Sequence, residues 1–161
     1  MLLARDPRAP SDFDFILGQW KVKHRRLKEI LAGSEEWVGF EGDSATVATL
    51  GGFGNIEDNR LYMPDETVSA KAIRSYDAAT GLWSIWWLDG RHPRKMDTPV
   101  TGKFINGVGR FYAEDIYQGQ DIQVRFIWDA TQADQPTWEQ AFSSDGGHSW
   151  ETNWTMQFSR V

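Results

Sequence analysis

Phe13-Asp14-Phe15-Ile16-Leu17-Gly18-Gln19-Trp20-Lys21 is the stretch that decides how this chain is read. Ser11 or Asp12 can cap a turn of helix running through Leu17, and Gly18 can end it. From Trp20 the period becomes two. Trp20, Val22 and His24 alternate with Lys21, Lys23 and Arg25, the pattern of a strand with one wet face. A short apolar turn that runs straight into such a strand reads as the plug and first stave of a small β-barrel. The remaining sequence then has to supply the other staves.

Outward from this stretch, residues 1–11 hold Pro7, Pro10 and little apolar content, which predicts a flexible tail before a single domain over 12–161. A second strand is expected from Glu36 to Thr49, with bends or bulges at Gly39 and Gly42. Gly51-Gly52-Phe53-Gly54 is a turn and not a phosphate loop, because no helical pattern follows it. Strands are expected at Asn55–Tyr62, Thr67–Asp77 and Leu82–Asp89. The faces of the last are ambiguous, since Trp83, Trp86 and Trp87 put aromatics on both sides. Gly90–Pro99 is a longer polar loop.

The next strands can be checked against one another. Asn106-Gly107 is a strong two-residue hairpin signal. It sets Phe104 opposite Gly109 and Lys103 opposite Arg110. A second tight turn at Gln118-Gly119 sets Asp115 opposite Ile122, Ala113 opposite Val124, Phe111 opposite Phe126 and Gly109 opposite Trp128. One face then collects Phe104, Phe111, Val124, Phe126 and Trp128, and the other Lys103, Arg110, Tyr112, Glu114, Gln123 and Arg125. Two independent turns therefore agree on one inside and one outside. The final hairpin runs from about Pro136. Its last strand puts Trp150, Trp154, Met156, Phe158 and Arg160 on one side and Glu151, Asn153, Thr155 and Gln157 on the other. The expected fold is all-β: an antiparallel up-and-down barrel of about ten strands with a short N-terminal helical turn.

Bulk properties agree and exclude several functions. Nine Trp, nine Phe and four Tyr in 161 residues suit pleated, half-buried surfaces. The formal net charge of −6 argues against a general nucleic-acid binder. With no cysteine there is no disulfide, thiol nucleophile or thiolate metal site. Met1-Leu2-Leu3-Ala4 is followed at once by Arg5, Asp6 and Pro7, which leaves no signal-peptide core. No membrane-spanning run follows, so the expectation is a soluble cytoplasmic protein.

Gly18-Gln19-Trp20-Lys21 resembles the G-x-W that opens the first strand of the calycin superfamily (lipocalins, fatty-acid-binding proteins, nitrobindin-like barrels). That resemblance implies an arginine from the last strand packed across the tryptophan at the closed end. Arg160 stands where it should, with Trp20 as its partner. Through Asp12-Phe13-Asp14-Phe15 and Asp145-Gly146-Gly147-His148-Ser149-Trp150-Glu151 the chain also resembles a bacterial family of lipocalin-like proteins of unassigned function. Nitrobindin-like barrels continue G-x-W with further glycines and bind haem through a late histidine. Here Lys21-Val22-Lys23-His24 follows, and the only late histidine, His148, lies in a turn. Haem is not carried over, and no cofactor is expected.

Ser143-Ser144-Asp145-Gly146-Gly147-His148-Ser149-Trp150 matches the Asp-box pattern S-x-D-x-G-x-[ST]-W, which in sialidases repeats around a propeller. One copy cannot build a propeller, so the reading is structural: the Asp closes a hairpin turn and the Trp packs beneath it. His24, Asp115 and Gln140 fall on inferred inner faces. A lone core histidine is usually a hydrogen-bonded structural residue; its other uses are ligand contact and acid–base chemistry. An inward Asp is costly unless it is wet or paired. Lys21, Lys23, Arg25 and Lys28 read as a solvated strand face. No His, Asp and Glu set has metal spacing, and no nucleophile motif appears.

Three functions follow. The first is a barrel that binds a small apolar or aromatic molecule, lined by His24, Phe104, Phe111, Asp115, Phe126, Trp128, Gln140, Trp154 and Met156, with Gly90–Pro99 as its mouth or lid. The second is an acid–base enzyme of isomerase, cyclase or decarboxylase type in the same barrel, with His24 and Asp115 as the catalytic candidates. The third is a packed barrel without a cavity that acts through its surface as a homodimer. Neither nucleic acid, membrane nor metal is an expected partner.

Overall fold

Alternation carried through tight turns gives ten strands in the computed structural model, which describes residues 3–161. They are β1 (Gly18–Leu27), β2 (Trp37–Thr49), β3 (Gly54–Tyr62), β4 (Thr67–Asp77), β5 (Leu82–Asp89), β6 (Val100–Ile105), β7 (Val108–Tyr117), β8 (Gln120–Asp129), β9 (Thr137–Ser143) and β10 (Glu151–Arg160). Each pairs antiparallel with its neighbour in sequence, and β10 returns to β1, so the sheet closes on itself and has no free edge. The only helical pieces among the described residues are single 3₁₀ turns at Asp14–Ile16 and Leu50–Gly52. Met1 and Leu2, the start of the expected tail, lie outside the described residues.

Both tight turns form as the sequence predicts. Asn106 and Gly107 have φ of 52° and 81°, and Gln118 and Gly119 have 48° and 78°, the left-handed pair that a two-residue hairpin requires. Phe104 pairs with Gly109, Phe111 with Phe126 and Asp115 with Ile122, in the expected register. The ambiguity in β5 resolves with Trp83 and Ile85 buried inside; Trp87 shares their face and Trp86 takes the other. β2 runs past Gly39 and Gly42 without a register break. Gly42 serves close packing instead, because a Cβ there would come within 2.8 Å of His24 Nε2.

One expected face is corrected. The register of β10 against β9 shifts between Thr152 and Trp154, leaving Asn153 as the extra residue of a bulge. Asn153 is therefore buried, where strict alternation puts it outside. The bulge also reverses parity before it, so Trp150 lies outside with Tyr112 and with Arg125, whose guanidinium is 4.6 Å from the indole centroid. The Asp-box turn next to it is structural, as expected. Asp145 accepts from Ser149 N at 2.9 Å and from the Ser143 and Ser149 hydroxyls, and these bonds hold its carboxyl well below the usual range.

The closed end is solid. Phe13 plugs the barrel, with its ring centroid 4.8 Å from Phe104, 4.9 Å from Trp83 and 6.0 Å from Phe111. Burying a ring of this size contributes about 2–3 kcal/mol. The plug turn is not capped by Ser11 or Asp12 as predicted. Its cap position is Phe13 and no side chain bonds there, because the Asp12 carboxylate accepts instead from Trp83 Nε1 at 2.9 Å. The seal is made from the other side. Arg160, paired in register with Trp20, lies 4.0 Å from its ring centroid and donates to the Phe15 and Leu17 carbonyls at 2.9 and 2.8 Å. Trp20 Nε1 donates to the Ile16 carbonyl at 2.8 Å. Residues 3–11, the described part of the segment expected as a tail, cross this end through Asp6 N to Gly51 O at 2.8 Å and Arg5 to Asp14 at 2.9 Å.

Part of the interior is polar. Arg74 and Glu57, each with a side chain 2% exposed, form an ion pair inside the barrel, and Arg74 also donates to Asn55 at 2.8 Å. The Arg74 guanidinium is 5.0 Å from Phe13 and 5.3 Å from Trp128. Burial of one charge is tolerable here only because the other is present.

Two stability measurements test this account. Arg160→Met removes two charge-assisted bonds and should cost about 2 kcal/mol in urea unfolding. Glu57→Gln strands the Arg74 charge and should cost about 3–5 kcal/mol, whereas Glu57→Leu with Arg74→Met should recover most of that loss.

Candidate functional site

The end opposite the plug opens into a cavity of about 560 Å³. Its walls are the open-end residues of the inner faces: Trp87 from β5, Phe126 from β8, Trp138, Gln140 and Phe142 from β9, and Trp154 from β10. Leu61 and Val68, paired across β3 and β4, also line it. The aromatic rings meet edge to face, with centroids 5.5 Å apart for Trp87 and Trp154, 5.1 Å for Trp138 and Trp154, and 4.9 Å for Phe126 and Trp138. The loop over residues 90–99 supplies Arg91, His92, Lys95 and Asp97 to the rim, in the mouth position expected of it. Ile30, from the connection between β1 and β2, completes the lining. That connection is fastened by Leu31 N donating to the Glu151 carboxylate at 2.7 Å.

The expected ligand residues divide sharply. Phe126, Gln140 and Trp154 line the cavity. Phe104, Phe111 and Trp128 belong to the packing around Phe13 and Phe15 at the closed end, outside the cavity lining. Met156 is buried in the core. His24 sits behind Trp154, accepting from its Nε1 at Nδ1 over 3.1 Å and stacking on Phe40 at 4.7 Å. Burial, with the Arg26 charge second, pushes its pKa down to about 4, so it is a neutral packing residue that orients an indole of the wall. Asp115 is half-buried, accepts from the backbone N–H of Ile116 at 2.8 Å and does not line the mouth cavity. The structure gives His24 and Asp115 separate partners, Trp154 and Phe40 for the first and the Ile116 backbone for the second, and no hydrogen bond joins the two.

Several lining residues escaped the sequence. Arg26 continues the inner row of Trp20, Val22 and His24 by one more period, a signal that was present. Trp138 and Trp87 lie on inner rows as well, facing Trp128 and Ala72 in register. The loop that carries most of the rim charges was expected at the mouth, but which of its residues face the cavity had no signal, because the loop is irregular. Asp89 is held by Arg91 through bonds of 2.8 and 3.1 Å, which keeps its carboxyl below the usual range. Asp97 is pushed up, first by burial and then by the Asp115 and Asp89 charges. Among the described residues no group of three His, Cys, Asp or Glu is placed to hold a metal ion, and no helix is long and apolar enough to cross a membrane.

The His24 environment has a measurable consequence. Its folded pKa of about 4 lies below its ordinary 6.5, so the unfolded chain takes up the proton first as pH falls. The associated stability is complete above pH 6.5 and is lost progressively towards pH 4, a change of up to about 3 kcal/mol. Urea midpoints of wild type and His24→Phe should therefore converge as pH falls across this window. A constant difference would show that His24 does not titrate this way.

No family model matches the sequence. Over 98 residues the chain is 31% identical to Kelch domain-containing protein 1 of Mus musculus, and over 96 residues 28% identical to the Homo sapiens protein of that name. Each match takes in 60% of this chain and spans only 22% of the relative's length. Kelch repeats build propellers of separate blades, whereas these ten strands form one continuous ring. The similarity therefore carries neither fold nor activity to this barrel.

Proposed function

We propose that this protein binds a small apolar or aromatic molecule in the open mouth of its barrel. The observation that supports this is the cavity of about 560 Å³, walled by Trp87, Phe126, Trp138 and Trp154 with Gln140 among them. That volume and make-up suit a single ligand held by apolar contact and oriented by few polar groups. Such a cavity also weighs against a packed barrel that works only through its surface. The closed end supports a calycin-like reading of the barrel, through Arg160 across Trp20 and the aromatic plug beneath them.

Acid–base chemistry in the same cavity is the second reading, and one group favours it. Asp97 stands on the exposed rim of the mouth with its pKa raised, first by desolvation and then by the Asp115 and Asp89 charges, the direction that a carboxyl proton donor needs. Asp97, rather than the His24–Asp115 pair, would be its centre.

Isothermal titration with naphthalene-2-carboxamide, a neutral aromatic probe, tests the binding reading. Phe126→Leu and Trp87→Leu should each weaken it about tenfold, equivalent to about 1.4 kcal/mol. Phe104→Leu, at the closed end, should lower stability yet change affinity by no more than about twofold. Absence of binding to wild type, or equal losses in all three variants, would count against the cavity as the site.

A further inference from the structure

One cation of the mouth, Arg26, comes from a strand of the barrel wall and not from the rim loop. Arg26 lies half-buried on the inner face of β1, two residues beyond His24 and paired in register with Trp154. Among the described residues its side chain forms no ion pair, whereas Arg91 on the same rim is matched by Asp89 and Glu66. Its guanidinium carbon lies 4.6 Å from the centroid of the Trp154 ring, against whose face it packs. A guanidinium so placed keeps its in-plane N–H edge free, and that edge fits a planar, two-oxygen acceptor. Holding a cation partly out of water without an anion is unfavourable. Burial first and the nearby Arg91 charge second act against its charged form, and together outweigh the opposing Asp89 charge.

The surroundings favour an anion as the missing partner. The chain has a formal net charge of −6, yet the cavity lining sets Arg26, Arg91 and Lys95 against only Asp89 and Asp97. Asp89 and Arg91 are matched to each other, which leaves Arg26 and Lys95 facing Asp97 on the exposed rim. The Trp154 ring under the guanidinium meets Trp87 and Trp138 edge to face, and Phe126 meets Trp138, an aromatic wall that suits a flat ring better than a flexible chain.

We infer that the mouth takes an aromatic monocarboxylate, its carboxylate in the fork of Arg26 and its ring between Trp87, Trp138 and Phe126. This rests on the reading of the cavity as the binding site and adds the chemical class of the ligand.

Titration calorimetry with three probes tests it: naphthalene-2-carboxylate, naphthalene-2-carboxamide and decanoate. Wild type should bind the carboxylate at least about tenfold more tightly than the amide, the worth of one charge-assisted pair. It should also bind the carboxylate more tightly than decanoate. Arg26→Met should abolish the preference over the amide while leaving amide affinity within about threefold. Arg26→Lys, which keeps the charge without the fork, should retain part of it and serves if the Met variant does not fold. Equal binding of carboxylate and amide to wild type, or a preference that survives in Arg26→Met, would overturn the role of Arg26 and leave the aromatic cavity standing. Tighter binding of decanoate would overturn the aromatic class. Binding of none of the three would take down the cavity reading together with this one.

Discussion

Closure of the ring between β1 and β10 is the constraint on which the rest of this structure depends. Ten strands joined in order have two free edges until the first and last meet, and an unpaired edge is both unstable and prone to self-association. Here the meeting point is fixed by a side-chain pair as well as by the ladder. Arg160 sits across Trp20, and the two together hold the carbonyls of Phe15, Ile16 and Leu17. That contact ties the ends of the chain to one place and sets the plug turn in the barrel floor. Phe13 then faces Phe104, Phe111 and Trp83 as a direct consequence.

With one end filled by aromatic rings, free space collects at the other. The same residue type therefore does different work at the two ends. Trp83 and Trp128 are packing, whereas Trp87, Trp138 and Trp154 are the walls of a cavity. Between the ends, the inner faces of β2, β3 and β4 are polar, with Ser44, Thr46, Asn55, Glu57, Asn59 and Arg74 buried together. Arg74, Glu57 and Asn55 satisfy one another in part. A set of buried polar groups on one side and aromatic groups on the other gives the interior a fixed orientation, at the desolvation cost of the ion pair.

The open end is held by hydrogen bonds to its loops. Leu31 N to Glu151, Asp97 N to the Trp87 carbonyl and the Arg91 fork on Asp89 fasten the two covering loops. Leu31 itself has φ of 57°, an uncommon conformation for a branched side chain, and its backbone bond to Glu151 helps to keep it there. His24 supports the wall from behind by fixing the indole of Trp154, and that indole in turn carries Arg26. A packing histidine, a wall tryptophan and a rim arginine thus form one stack from core to mouth.

Sequence alone determined a count of about ten strands, the plugged end and the register from Lys103 to Trp128. Those features rest on local rules: period two, left-handed two-residue turns, and an apolar turn ahead of Trp20. It also placed Phe126, Gln140 and Trp154 on inner faces correctly. Alternation reports which face a residue occupies, however, and not how far along the barrel axis it lies, because strand tilt and stagger are set by pairing around the whole ring. Tertiary structure therefore decided that Phe104, Phe111 and Trp128 serve the plug, that His24 lies behind a wall, and that Asp115 stands apart from it. It also decided what no local pattern encodes. Glu57 and Arg74 meet inside because their strands flank one another, and one extra residue at Asn153 turns Trp150 outward. Arg26 reaches the mouth because closure of β1 on β10 sets it beside Trp154.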